Sequence, residues 1–333
     1  MDNTINLLEL ERYIGSIQYT IPTKQIMDLQ TNVNEWMSMN ECGAIIYGKS
    51  RSGKSRSIHY ITTKIKEKYG ESLPVYNFCA TDHVPTNKTF YSSLLSAIGH
   101  EDFYRGTAVQ MRERLVNRII QNSINTTYRR AVLFVDEAYL LHEKEYIWLI
   151  DIYNELNKND ILLTVFLFGT HELKEQRTGF IRSHKEQIVL RFMSHEYEFK
   201  GISSQKDLVV CMTSLDKPFQ LHNNGPSITL SEMFFPEAYK DGKRMQAFAM
   251  DLWEAFEKVK EDSHIITSEI LMKHFMDTII YCLKTFGSYG KQLYMPTQAE
   301  WIASINKIGF ASLYGSSLNK NRQPLCSIWG GCL

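Results

Sequence analysis

The sequence predicts an α/β protein in which a parallel sheet lies between layers of helices and a small all-helical domain follows. Three observations predict it. Short, almost wholly apolar runs alternate with helix-patterned segments as far as Lys200, the signature of strands buried on both faces by crossover helices. One strand-to-helix joint reads Gly48-Lys-Ser-Arg-Ser-Gly53-Lys54-Ser55 and satisfies GxxxxGK[ST]. Beyond that region the apolar spacing is helical alone.

Taken in order, Thr23 to Met39 is amphipathic and follows Ile21-Pro22, where proline suits a helix entrance. Cys42 to Tyr47 is the first strand, Ser55 to Tyr69 a helix, and Val75 to Ala80 the second strand. Lys88 to Ile98 and Gln110 to Ile120 are helical; Ala131 to Val135 is a third strand, followed by a helix from Glu143 to Leu156. Leu162 to Phe168 is the fourth strand, and a fifth is expected near Glu196 to Phe199. Helices then follow at Ser204 to Leu215, Lys243 to Lys258, Thr267 to Phe286 and Thr297 to Ile308, before a Gly, Ser and Asn-rich tail around Gly315 to Arg322. The expected organisation is an N-terminal helical segment (1–40), an α/β domain (41–200), a helical lid (201–290) and a C-terminal helix and tail (291–333).

A chain of 333 residues suffices for one large domain and a smaller companion. With 44% hydrophobic and 22% charged residues, it excludes wholesale disorder, collagen and coiled-coil rods. Lys plus Arg and Asp plus Glu both number 37, so any nucleic-acid site is a local patch, not a bulk property. The longest apolar runs, such as Ile161 to Gly169, fall far short of the roughly 20 residues of a membrane span, so no membrane partner is expected. Six cysteines without CxxC spacing, and an N-terminus without signal-peptide regions, fit reduced thiols in a cytoplasmic protein.

The phosphate-loop pattern stands after a strand and at the start of a helix, where its chemistry requires it. Its glycines permit a tight turn, so that the backbone N–H groups of Gly48, Lys49, Ser50, Arg51, Ser52, Gly53, Lys54, Ser55 and Arg56 can line an anion site on a helix N-terminus. Lys54 would face the β- and γ-phosphates of ATP, and the Ser55 hydroxyl would hold Mg²⁺. The strand Val132-Leu-Phe-Val ends in Asp136-Glu137, although an apolar strand has little use for paired acids at its tip unless they face a site. There Asp136 would join the Mg²⁺ shell and Glu137 would act as general base toward water. At the tip of the fourth strand, Thr170 can hydrogen-bond the lytic water and the γ-phosphate, or serve as a plain N-cap for His171 to Glu175.

The order of phosphate loop, Asp-Glu strand, Thr-tipped strand, arginine-bearing segment and helical lid resembles an AAA+ ATPase. More narrowly it resembles the TnsC/TniB family of transposition regulators, over roughly residues 15–285. The passages concerned are Ile21-Pro22-Thr23, the phosphate loop, Tyr104-Arg-Gly-Thr107, Val135-Asp-Glu-Ala138, Phe168-Gly-Thr-His-Glu-Leu173 and Leu190-Arg-Phe192.

The resemblance implies a bacterial, DNA-binding ATPase that forms a hexameric or heptameric ring, or a filament, on duplex DNA. Its partners would be a TniQ/TnsD-like target selector and transposase subunits, for which the C-terminal tail is one docking place. The sequence contains no DDE-like triad, zinc constellation or nucleophile elbow for DNA cutting of its own. The resemblance further implies an arginine finger at Arg191, with Arg182 as rival, and a second sensor at Lys243 or Arg244. By position Tyr104, Arg105 and Thr107 match a segment that grips the phosphate backbone, with Arg112, Arg114 and Arg118 on the next helix and Lys88 and Lys144 as further candidates. The other reading is an AAA+ or STAND ATPase that remodels proteins and ignores DNA.

Overall fold

In the computed structural model, which describes residues 20–220, 227–287, 294–312 and 314, five strands form one sheet. They are β1 (Gly43–Tyr47), β2 (Val75–Cys79), β3 (Arg130–Asp136), β4 (Leu162–Gly169) and β5 (His195–Glu198). The order is β2-β3-β4-β1-β5 and every pairing is parallel. The central strands are the most apolar: β1 is buried at all five positions, and β3 and β4 at all but one. At the edge, β5 keeps only His195 and Tyr197 partly covered and turns Glu196 and Glu198 outward, as an edge strand tolerates.

Among the described residues seven helices cover this sheet: α1 (Lys24–Ser38), α2 (Lys54–Tyr69), α3 (Asn87–Ala97), α4 (Ala108–Ser123), α5 (Glu143–Lys158), α6 (His171–Arg182) and α7 (Glu186–Phe192). Strand side chains alternate between two cores, as their period of two demands. Ala44, Ile46, Phe134, Phe166 and Phe168 pack with Leu29 and Val33 of α1 and Ile58, Ile61 and Ile65 of α2. Ile45, Leu133, Val135, Val165 and Leu167 pack with α3 to α7, through residues such as Leu95, Leu115, Tyr146, Leu173 and Phe192. At roughly 25 cal/mol per Å² of apolar surface, these two layers supply the main stabilisation of the unit.

The chain divides into two compact units, Met1–Gly201 and Ile202–Leu333. The second contains α8 (Gln205–Leu215), α9 (Leu230–Phe234), α10 (Pro236–Lys240), α11 (Ala249–Asp262), α12 (Met272–Phe286) and α13 (Gln298–Lys307). Phe234, Phe256, Phe275, Ile279, Trp301 and Ile305 are buried within it.

Several elements differ from the sequence reading. The expected helix from Thr267 starts only at Met272, because Ile270 exchanges both backbone hydrogen bonds with Ile202 at 2.8 Å and so cannot join a helix. The helix expected from Lys243 begins as a short 3-10 turn at Met245 and becomes α11 at Ala249. The fifth strand runs one residue earlier than expected, and the arginine-bearing segment before it is a helix, α7, with Arg191 in its last turn. Residues 1–19 and the tail beyond Tyr314, including Cys326 and Cys332, lie outside the described residues. Among the described residues no helix is long and apolar enough to cross a membrane.

Candidate nucleotide site

The site grows from the buried end of β1. Phe199 N–H donates to the Tyr47 carbonyl at 2.7 Å, and its own carbonyl lies where a side chain on Gly48 would stand, 2.0 Å from the added Cβ. Only glycine fits that approach. The loop closes at Gly53, whose φ of 111° suits glycine and which forms the N-cap of α2. A 16-residue helix thus points its unsatisfied N–H groups into the turn.

Ser52 is fully buried, and its hydroxyl has no hydrogen-bond partner among the described residues. Lys54 is 7% exposed and donates to the Gly48 and Lys49 carbonyls at 2.9 and 2.8 Å, which keeps its ammonium over the loop. Ser55, on the first turn of α2, is exposed, as are Ser50 and Arg51, while Lys49 and Arg56 are half-buried.

One strand over from β4, Asp136 ends β3. Its Oδ1 accepts the Glu137 N–H at 3.0 Å, and Glu137 has φ 52°, a left-handed conformation uncommon for a residue with a side chain. Such local strain concentrates at functional sites. Burial raises the Glu137 carboxyl above the ordinary carboxylate range, the neighbouring Asp136 and Glu172 charges add to this, and Lys54 opposes it. Cys79 stands opposite Asp136 in the β2–β3 register, and burial together with the Asp136 and Glu137 charges raises its thiol.

Thr170 follows directly on β4, the neighbour of β1: Tyr47 is paired with Gly169, and Gly48 N–H donates to the Gly169 carbonyl at 3.2 Å. Although Thr170 occupies the N-cap position of α6, its side chain makes no cap hydrogen bond. Its Oγ1 is buried and has no partner among the described residues, so the plain-cap alternative does not explain this hydroxyl. The phosphate loop, Asp136 with Glu137, and Thr170 therefore converge at the carboxyl ends of three adjacent strands, the usual ligand face of an open parallel sheet. The Ser55 hydroxyl and the Asp136 carboxylate, each at this face, are hard oxygen donors of the chemistry Mg²⁺ takes.

The other expected site residues lie elsewhere. Arg191 lies in the last turn of α7, at the opposite end of the sheet: the neighbouring Phe192 Cα packs 2.9 Å from the Cβ position of Gly43, the first residue of β1. The loop lies beyond the other end of that strand, roughly 15 Å away at about 3.3 Å per residue. Arg191 instead sits over the Tyr153 ring, 5.8 Å from its centroid, so it does not serve its own loop. Arg182 ends α6 and is exposed. Within the second unit, Arg244 lies 3.7 Å from the Tyr239 ring centroid and donates to the Tyr239 and Lys243 carbonyls, while Lys243 is exposed.

The Tyr104–Thr107 segment is an exposed turn before α4. Thr107 Oγ1 accepts the Gln110 N–H at 3.3 Å, and Gln110 Oε1 accepts the Thr107 N–H at 2.9 Å, a complete capping box. Arg105 is 3.5 Å from Asp102 and 5.7 Å from the Tyr104 ring centroid. Arg114, expected in a basic stripe, folds back onto the Asp102 and Arg105 carbonyls, and Arg112 lies 3.8 Å from Glu155 of α5. Lys88 and Lys144 are exposed, and Lys144 makes no ion pair with the described residues. The sequence reading missed Cys79, Glu172, Tyr47 and Lys174 around the loop. Their only signal is proximity to strand tips whose neighbours the sequence does not name.

The fold is the P-loop AAA+ fold. Residues 40–176, less than half of the chain, match the family described as an AAA domain. The ORC2 protein of Aeropyrum pernix, solved in ADPNP and ADP complexes, aligns at 12% identity and a TM-score of 0.54, covering 89% of this chain and 71% of that one. Looser matches include the Aeropyrum pernix ORC1 protein in complex with DNA (15% identity, TM-score 0.40, 78% of this chain and 64% of that one). Domain III of the Thermotoga maritima replication initiation protein DnaA gives 10% identity and a TM-score of 0.44, over 88% and 96%. The search among curated proteins found no match.

Proposed function

We propose that the chain is an Mg²⁺-dependent ATPase that assembles with copies of itself on duplex DNA and relays a target-selector protein's signal to transposase subunits. The observation that carries the ATPase part is the convergence of the Lys54 loop, Asp136 with the strained Glu137, and the Thr170 hydroxyl, unpartnered among the described residues, on adjacent strand tips. An adenine nucleotide is favoured by the fold likeness to an ORC2 protein that holds ADPNP and ADP. Ser55 and Asp136 would hold Mg²⁺, which when bound offsets charge on the phosphate oxygens.

Lys54 orients the β- and γ-phosphates, and Thr170 holds the attacking water in line. Glu137 takes the water's proton as its oxygen bonds to the γ-phosphorus, while the bond from that phosphorus to the β–γ bridging oxygen breaks to give ADP and phosphate. The raised pKa of Glu137 improves its match to this task. Arg191, which lies away from its own loop, would act on a neighbour's nucleotide.

The transposition role is supported by the sequence passages from Ile21-Pro22-Thr23 to Leu190-Arg-Phe192 that resemble TnsC/TniB proteins, and the DNA contact by exposed Arg105 and Tyr104. One experiment tests both parts: ATP turnover and duplex binding by the full chain, measured together across a salt series. Turnover with salt-sensitive duplex binding is the expected result. Turnover without duplex binding at low salt favours a protein-remodelling ATPase, and no nucleotide binding overturns the reading.

A further inference from the structure

Beyond the carboxyl ends of β1 and β4 the backbone ladder stops and the chains part, Gly48 into the loop and Thr170 into α6. Their last shared bond is Gly48 N–H to the Gly169 carbonyl, 3.2 Å. From there onward side chains join α6 to the sheet: Leu173 packs over Gly169, and Tyr47 is the residue next to the loop that the helix touches. Its ring, 5% exposed, takes the His171 ring edge-on at 5.5 Å. Lys174, one turn further along α6, donates to the Tyr47 hydroxyl at 2.9 Å and lies 4.9 Å from the ring centroid. The same ammonium is 3.8 Å from Glu196 on β5.

One lysine of α6 thus reaches side chains on both β1 and β5, at the end of the backbone pairing that joins β1 to its two neighbours. The Tyr47 hydrogen bond, and after it the Glu196 charge, favour the ammonium form, so the tie persists through neutral pH. Thr170 has few χ1 choices of its own. Its hydroxyl therefore goes where the first turn of α6 goes.

We infer that Tyr47 and Lys174 are positioning residues that hold the Thr170 hydroxyl in register with the phosphate loop. The inference rests on the ATPase reading, and it concerns placement: neither side chain touches the reacting atoms. Displacing a water-orienting hydroxyl by about 1 Å can cost on the order of a hundredfold in rate, while the loop that binds the nucleotide stays formed.

The test uses the full chain, with Tyr47→Phe, Lys174→Ala and Lys174→Arg made both in the wild type and in a Thr170→Val background, where a methyl replaces the hydroxyl at near-equal volume. Turnover and the binding of a fluorescent ATP analogue are measured for each. Tyr47→Phe and Lys174→Ala should each lower kcat about tenfold or more with analogue binding within about twofold, and Lys174→Arg should recover part of the loss. In the Thr170→Val background neither change should lower kcat further, because the group they position is already gone. Losses that repeat in full in that background, or that come with matching losses of analogue binding and melting temperature, overturn the inference. Wild-type turnover by both single variants overturns it alone; an inactive wild type overturns the ATPase reading and the inference with it.

Discussion

The phosphate loop and the Tyr104–Thr107 turn both read, in sequence, as segments made to meet phosphate, and the fold treats them in opposite ways. The loop hangs between a strand buried at every position and a 16-residue helix, with Gly48, Ser52 and Lys54 all buried. The turn stands in solvent, with Tyr104 57% exposed. In the loop, the Ser52 hydroxyl is held without a partner among the described residues; in the turn, the Thr107 hydroxyl, the Gln110 amide and the Arg114 guanidinium hold the turn itself. A buried scaffold can keep side chains ready for a ligand. An exposed turn must first use them to exist, which leaves Arg105 and Tyr104 as its outward-facing groups.

The strongest way to break this contrast is Lys54→Ala, which removes the one buried cation of the loop. Nucleotide affinity should fall by at least about a hundredfold, in line with about 2–5 kcal/mol for truncating one partner of a buried charged pair. Isothermal titration showing wild-type affinity would end the loop's assignment. Next in size is Glu137→Gln, expected to slow turnover by about 10² to 10⁴ while nucleotide stays bound.

That variant also has a pH signature. Because the folded pKa of Glu137 is raised, its contribution to stability is present below the unfolded carboxylate pKa and lost as pH rises through the folded one. Glu137→Gln should therefore melt higher than wild type at neutral pH, with the gap closing as the solution becomes acidic. The acid limb of wild-type turnover should lie above the ordinary carboxylate range. Melting curves that show no such convergence would remove the burial account of Glu137.

On the other side of the comparison, Arg105→Ala should weaken duplex binding about equally for every sequence, since phosphate contacts carry no base information. It should also flatten the slope of log affinity against log salt by about 0.9 for each phosphate that the arginine neutralises. A change of sequence preference, or an unchanged slope, would move the DNA-binding role to Lys88, Lys144 or Arg118. The smallest effect is expected from Thr107→Ala, which should cost about 0.5–2 kcal/mol of stability by removing the cap. Thr107→Ser should restore both stability and duplex binding; failure of Thr107→Ser to bind duplex would mean that the threonine itself meets the DNA.

Much of the first unit was legible because its signals are local. Val132 to Val135 and Leu162 to Phe168 are apolar over a strand's length, and the glycines at 48 and 53 mark a turn that other residues cannot make. Where the reading slipped, a long-range bond decided: Ile270 left its helix for Ile202, sixty-eight positions away in the chain. Arg114 also looked like one member of a basic stripe, and only the return of the chain near Asp102 turned it into a brace for the turn.

By itself, then, the sequence determined the alternating α/β frame, the phosphate loop and the two acids at the end of β3, because each is written in neighbouring residues whose spacing matches a strand or helix period. The tertiary structure alone decided the strand order β2-β3-β4-β1-β5, and with it that Thr170 stands beside the loop, that Lys174 reaches Tyr47 and that Arg191 lies at the far end of the sheet. The physical reason is that strand neighbours are chosen by the packing of whole faces. Tyr47 and Lys174 are 127 residues apart, and no local pattern records a contact that exists only once β1 and β4 lie side by side.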